Sequence, residues 1–314
     1  LLCAALFASD QRISALGGNA AMWPGDEANI SSFPAQMNNH SFIQVSGVGM
    51  TTAATETADA VYNEDAGVSI LMNNDGTTWG FNYGNNNDWA NMYWGNGDMG
   101  VMVGLQSGTE TECDEDGDCA DSADMNIGWG GNFSWGEVGV HLGMPGDDDD
   151  PDTENFDESA MTLGFDWRKD CGFWIFDNSV VHVGDLMADD LAFDYTMWSA
   201  YDAGGADVAF GWGLAYDAAE GTANDLTWDG SACSDGGTVE DDCDNTVDVT
   251  TMSQTATLGI EANMTDWATL RLGYNWTHQL SCSNGDDDDD SCGANTSTLG
   301  FGLGFNWGGL TADM

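Results

Sequence analysis

The chain has 314 residues, enough for one large β domain or two ordinary ones. Its 54 Asp+Glu against 4 Lys+Arg leave a formal net charge of -50, which excludes nucleic acid as a partner because phosphate binding needs Lys and Arg. Hydrophobic residues make up 42%, yet no run of about 18 apolar residues offers a membrane helix. The 14 Trp, 7 Tyr and 13 Phe also argue against a disordered acidic chain.

In chain order, Leu1-Leu2-Cys3-Ala4-Ala5-Leu6-Phe7-Ala8 reads as the end of a secretory signal's apolar region, so 1–8 is expected to be a signal-peptide remnant. The opposite end, Leu310-Thr311-Ala312-Asp313-Met314, reads as a strand just begun, and a fragment open at both ends is expected. Residues 9–40 lack clean alternation and carry two of the four prolines, Pro24 and Pro34, as a non-strand plug or periplasmic arm would. Within them stand Arg12-Ile13-Ser14-Ala15-Leu16-Gly17-Gly18-Asn19-Ala20-Ala21, then Gly25-Asp26-Glu27-Ala28-Asn29-Ile30 and Phe33-Pro34-Ala35. This stretch resembles the N-terminal signature of the FadL-like and PorV-like outer-membrane barrels, which have Asn-Pro-Ala where this chain has Phe-Pro-Ala. The resemblance implies a 14-stranded barrel whose N-terminal segment folds into the lumen as a hatch, and a small hydrophobic molecule as substrate.

From residue 41 to 314 the signal is period-2 alternation. Strands are expected near 41–49, 67–73, 76–84 and 98–107, the second and third joined by a tight outer hairpin at 73–77. Met125, Ile127, Trp129, Gly131, Phe133 and Trp135 then alternate with Gly, Asn and Ser. Met161, Leu163, Phe165 and Trp167 oppose Thr162, Gly164, Asp166 and Arg168. Further on, Val208, Phe210, Trp212, Leu214 and Tyr216 form one face, as do Leu270, Leu272, Tyr274 and Trp276. Leu299, Phe301, Leu303, Phe305 and Trp307 close the series.

A soluble sandwich would point the large residues inward and carry Lys, Glu and Thr outside. Here the second face is mostly Gly, Ala, Ser and Asn, and aromatics recur near strand ends at Trp135, Trp167, Tyr216, Trp276 and Trp307. An all-β fold is therefore expected: an antiparallel transmembrane β-barrel of about 14 strands with an N-terminal plug-like segment, in the bacterial outer membrane. Short links are expected near 135–136, 168–170, 201–206, 264–266 and 308–309. Long outer ones are expected through 107–124, 144–158, 184–190, 217–247 and 281–296.

The long loops hold Cys113 with Cys119, Cys233 with Cys243, and Cys282 with Cys292, each pair flanked by Asp and Gly. In an exported chain this favours local disulfides, and with no Cys-x-x-Cys and no neighbouring His the zinc alternative is weaker. Asp114, Asp116 and Asp118 resemble half of a Ca²⁺ loop, but the twelve-residue pattern is incomplete. A solvated acidic surface in salty surroundings is the favoured reading, with low-affinity Ca²⁺ as the alternative and no other cofactor.

Arg271, Glu261, Asp166 and Arg168 are the lumen-facing candidates. Arg271 is expected to pair with Glu261 or Asp166, since a buried unpaired charge is expensive. Arg168 and Lys169 are expected at an inner turn. His40, His141, His182 and His278 have no catalytic or metal spacing, so no enzymatic activity is expected. Two functions remain open. One is passive transport of small solutes or hydrophobic molecules by a barrel contacting outer-membrane lipid, in one copy or as a homo-oligomer. The other is a structural or secretion-accessory surface barrel, assembled through cations on its acidic loops.

Overall fold

The computed structural model describes residues 10–46, 50–52, 61–62, 67–84, 89–106, 125–144, 161–184, 186, 191–222, 233–235, 238–240, 246–283, 295–308 and 310–313. The strands are β1 Phe42–Ser46, β2 Met50–Thr52, β3 Val61–Tyr62, β4 Gly67–Asn74, β5 Thr77–Gly84, β6 Trp89–Gly95, β7 Met99–Gln106 and β8 Met125–Phe133. They continue as β9 Gly136–Met144, β10 Thr162–Phe173, β11 Phe176–Gly184, β12 Leu191–Asp202, β13 Ala206–Thr222, β14 Cys233–Asp235 and β15 Thr238–Glu240. The last four are β16 Thr246–Thr265, β17 Ala268–Ser283, β18 Thr296–Trp307 and β19 Leu310–Asp313. Fifteen of them form one sheet in chain order, every neighbour antiparallel, while β2–β3 and β14–β15 are small hairpins within connections.

The sheet curls around the N-terminal segment. That segment is a helix, α1 (Asp10–Ala15), followed by three 3-10 turns at Ala20–Met22, Glu27–Ile30 and Pro34–Asn39. It touches strands from β4 through β18, which a flat sheet could not allow. No helix among the described residues is long and apolar enough to cross a membrane. The strands do the crossing. Their outer faces carry Val45, Met72, Trp79, Phe81, Met92, Trp94, Phe210, Leu272, Leu299 and Phe301, all solvent-exposed in the isolated molecule. A soluble protein would bury such a band, and lipid covers it in a membrane barrel. The fold is an antiparallel transmembrane β-barrel with a hatch.

Turn chemistry defines the two rims. Connections of two or three residues follow β4, β6, β8, β10, β12, β16 and β18, and the longer ones lie opposite. At the first, Asp75 (φ 51) and Gly76 (φ 80) form a two-residue loop with both central residues left-handed, the type that matches strand twist. Exposed aromatics collect at this short rim: Trp135, Trp174, Trp267 and Trp307. Phe133 stacks on Trp135 with centroids 5.0 Å apart, and Trp267 on Phe305 at 6.1 Å. Amphipathic rings at one level are the mark of a membrane–water interface.

The sheet's fifteen strands agree with the expectation of about fourteen, and three other expectations need correction. A strand, β6, was missing between 84 and 98, and its insertion moves the 75–76 hairpin from the outer rim to the short-turn rim. Residues 168–170 are not a turn but lie inside β10, and the chain reverses at Trp174-Ile175 instead. Finally, 217–222, 246–247 and 281–283, expected in loops, are strand, because β13, β16 and β17 run for 17, 20 and 16 residues. At roughly 3.3 Å per residue, β16 outreaches the hydrocarbon core of about 30 Å.

Candidate functional site

The hatch is a chain of caps and turns whose small residues let its backbone lie against the wall. Asn19 and Asp26 cap two of its 3-10 turns through the backbone N–H groups of Ala21 (3.1 Å) and Ala28 (2.9 Å). Buried Asn29 donates through Nδ2 to the carbonyls of Ala20, Trp23 and Asp26 at 2.9–3.1 Å, closing the segment on itself. Ile13, Leu16, Met22, Trp23 and Phe33 then pack against Val180, Trp198 and Ala209 of the wall. Ile30 and Met37 pack against Phe42 and Leu71. Each fully buried large side chain contributes roughly 1.5–3 kcal/mol.

Glycine makes this approach possible. Gly100, Gly130 and Gly139 are successive cross-strand partners on the inner face of β7, β8 and β9. A β-carbon at any of them would overlap hatch backbone at Ser32, Pro34 or Ala35. On the far wall Gly259, Gly273 and Gly300 form a second such row against Ser14, Ala15, Leu16 and Gly17. The glycines of these two rows are notches filled by the hatch.

Two of the four cationic side chains, Arg12 and Arg168, join hatch to wall, and a third, Arg271, is tied to Arg12 through a shared carboxylate. Arg12 of α1 donates through Nε to Glu261 Oε2 (2.8 Å) and also pairs with Asp26. Arg271 shares Glu261, with Nε 2.6 Å from Oε2, and pairs with Asp313. Arg168 donates to Glu137 (Nε to Oε2, 3.0 Å) and to Asn29 Oδ1 of the hatch (2.8 Å), its guanidinium 4.4 Å from the Phe33 ring centroid. Of the four lumen-facing candidates, the structure brings Arg271 and Glu261 together. It sets Arg168 in its own cluster, and places Asp166 between two imidazoles. His182 Nδ1 lies 2.9 Å from Asp166 Oδ1, and His141 Nε2 lies 3.2 Å from Oδ2 and 3.0 Å from the Ser32 carbonyl oxygen. Lys169, of opposite parity to Arg168, is exposed. Sequence reasoning missed Arg12, Glu137 and the two histidines, because pairs 16 to 249 residues apart leave no local trace.

Between the hatch and β17–β19 lies a chamber of about 810 Å³, lined by Arg12, Asp26, Glu27, Arg271, Thr311 and Asp313 among others. Ser41, just before β1, also lines it, so the two end strands of the sheet flank one space. Glu27 Oε1 is buried there without a hydrogen-bond partner. Burial, reinforced by the nearby Asp26 carboxylate, pushes the Glu27 carboxyl up to about 8. Burial also lowers the His40 imidazole below its ordinary value.

Above the hatch, toward the long-loop rim, two stretches of the inner wall are neutral and polar, separated by His182, Asp194 and Asp217 on β11 to β13. Gln44, Ser69, Asn82, Asn91, Gly104, Asn126, Gly143 and Thr162 are successive cross-strand partners from β1 to β10. On the far side Thr196, Gly213, Thr255, Thr277 and Thr296 form the corresponding row. Asp194 is the inner acid beside His182 on the adjoining strand.

Among the described residues no group of three or more His, Cys, Asp or Glu is arranged to hold a metal ion. Asp114, Asp116 and Asp118 lie outside the described residues, as do Cys113, Cys119, Cys243 and Cys292, and with them the expected loop pairings. Cys233 opens β14 and Cys282 lies on β17. Cys171, inside β10, is a free thiol within 3.1 Å of Ser179 Oγ.

Fold and site together define a hatch-bearing transmembrane β-barrel. No family model matches the chain, and no curated protein does. Among solved structures, the chain aligns with OmpT (in-vitro folded), an outer membrane protein of Vibrio cholerae in its trimer form. Identity is 13%, with 76% of this chain and 63% of that chain covered and a TM-score of 0.26. The chain thus spans less than two thirds of that protein's length.

Proposed function

We propose that the chain is a non-catalytic outer-membrane protein for passive transport, whose hatch narrows the path and whose substrates are small hydrophilic solutes. The observation that carries this reading is the chemistry of the wall above the hatch, mostly amides and hydroxyls on β1 to β10 and on β12 to β18. A site for a hydrophobic molecule is lined predominantly by apolar and aromatic side chains. Here those side chains face lipid. The hatch agrees with the resemblance to FadL-like and PorV-like barrels, whereas the lining favours a different cargo. Acidic outer loops would enrich cations and neutral solutes over anions at the entrance.

The test is solute exchange in proteoliposomes of the full chain. Pentose-sized solutes are expected to equilibrate faster than in protein-free vesicles, with anions lagging, and fatty-acid transfer is expected to be unchanged. Accelerated fatty-acid transfer without sugar exchange would sink the hydrophilic reading. Exchange of neither, by protein that is demonstrably folded, would sink transport itself.

A further inference from the structure

The inner row on β1 to β10 is more than a polar lining, because its side chains are already organised. Asn91 Nδ2 donates to Asn82 Oδ1 (3.3 Å), and Asn82 Nδ2 donates to Ser69 Oγ (2.5 Å). Each amide group retains a further N–H and free lone pairs directed elsewhere. The row is interrupted by Gly104, and a β-carbon there would overlap the side-chain oxygens of both Asn91 and Asn126. Two amide oxygens therefore meet in the space that this glycine leaves free of a side chain. Asn126 Oδ1 is buried and has no hydrogen-bond partner within the protein, an acceptor that a donor reaches once the amide turns toward the lumen.

About 7 Å below, two residues along each strand, runs a different row: Leu71, Gly80, Tyr93 and Met102. Tyr93 packs against the Met37–Leu71 cluster of the hatch, and its ring lies over Gly80. The arc thus stands above an apolar floor made jointly by wall and hatch.

We infer that this arc is a binding site for an uncharged polyhydroxyl solute of the saccharide class. The inference rests on the hydrophilic-transport reading and names its substrate class. Donors and acceptors alternate along Ser69, Asn82 and Asn91, and a hydroxyl group, which both donates and accepts, satisfies both kinds. A cation would use the oxygens and leave the Nδ2 hydrogens idle, and an anion would do the reverse. The C–H face of a sugar ring matches the Tyr93 floor as a polar ion does not. None of Gln44, Ser69, Asn82, Asn91, Asn126 and Thr162 carries a charge, so binding costs no ion desolvation.

The experiment measures maltotriose binding to the full-length protein in detergent, by saturation-transfer NMR and calorimetry at low and high NaCl. Saturable binding independent of salt is expected. Asn82→Leu and Asn126→Leu should each weaken it by about tenfold, the loss of one or two satisfied hydrogen bonds. Asn82→Asp keeps the shape, removes the donor and should weaken binding as well, which covers the case where a leucine variant fails to fold. Asn132→Leu, at the exposed short-rim end of β8, should bind as the parent does. Absence of saturable binding, binding unchanged in folded Asn82 and Asn126 variants, or binding abolished by salt would each overturn the proposal. If pentose exchange in proteoliposomes survives such a result, only the arc falls. If exchange is also absent, the transport reading falls with it.

Discussion

Arg168 shows how much a single side chain carries in a chain with 4 Lys+Arg. It joins Glu137 of β9 to Asn29 of the hatch and lies on the Phe33 ring, all three contacts largely withdrawn from water. Arg168→Ala removes from the hatch a charge-assisted hydrogen bond to Asn29 and the Phe33 ring contact, a loss of about 2–4 kcal/mol in hatch docking. Limited proteolysis should show the N-terminal segment released while the barrel remains heat-modifiable on gels. A hatch as protected as in the parent would refute the clamp.

Glu27 supplies the pH dependence. Its carboxyl titrates at about 8 in the docked hatch against an ordinary 4.5. The docked state therefore holds a proton that the released state gives up. Stability from this group is fully present below about 4.5 and is lost as pH rises through about 8, at up to roughly 1.4 kcal/mol per pH unit. Hatch protection against protease should fall between neutral and mildly alkaline pH, and Glu27→Gln should flatten that fall.

At the scale of elements, strand alternation was readable wherever small and large residues strictly took turns, as in Val208 to Tyr216. It failed in β6, Trp89-Ala90-Asn91-Met92-Tyr93-Trp94-Gly95, where Tyr93 turns inward to the hatch and places large residues on both faces. One missed strand inverted the assigned side of the Asp75-Gly76 hairpin. Arg168-Lys169-Asp170 misled in the opposite way, since polar triplets usually mark turns. Here Arg168 faces its hatch partners and Lys169 the exterior near the interface.

The glycine rows belong to this scale too. Gly130→Leu would drive a side chain into the Pro34–Ala35 backbone without touching the outer face of β8. The expected result is a folded barrel with a displaced hatch, read as larger ionic conductance in planar bilayers. Parent-like conductance would mean that the hatch does not limit the path.

For the whole molecule the governing quantity is charge. Three of the four cations are spent on ion pairs within the hatch and the wall that faces it, so nothing comparable offsets the acids elsewhere. Self-repulsion on that scale falls as salt shortens the Debye length from about 10 Å at 0.1 M to about 3 Å at 1 M. Thermal unfolding followed by circular dichroism should shift upward with NaCl, and a flat or falling midpoint would contradict the expectation of a salty habitat.

The sequence by itself determined that the chain is a β-barrel of membrane type, because period-2 alternation follows directly from strand geometry and needs no partner to be read. It also marked residues 9–40 as something other than strand. Only the tertiary structure decided what the inner face is for. Whether Gly130 leaves open space or receives a backbone depends on residues 34 and 35, nearly a hundred positions away. Whether Asn82, Asn91 and Asn126 are scattered lining or one arc depends on the register of three strand pairings, and register is a property of pairs of strands that no single strand carries.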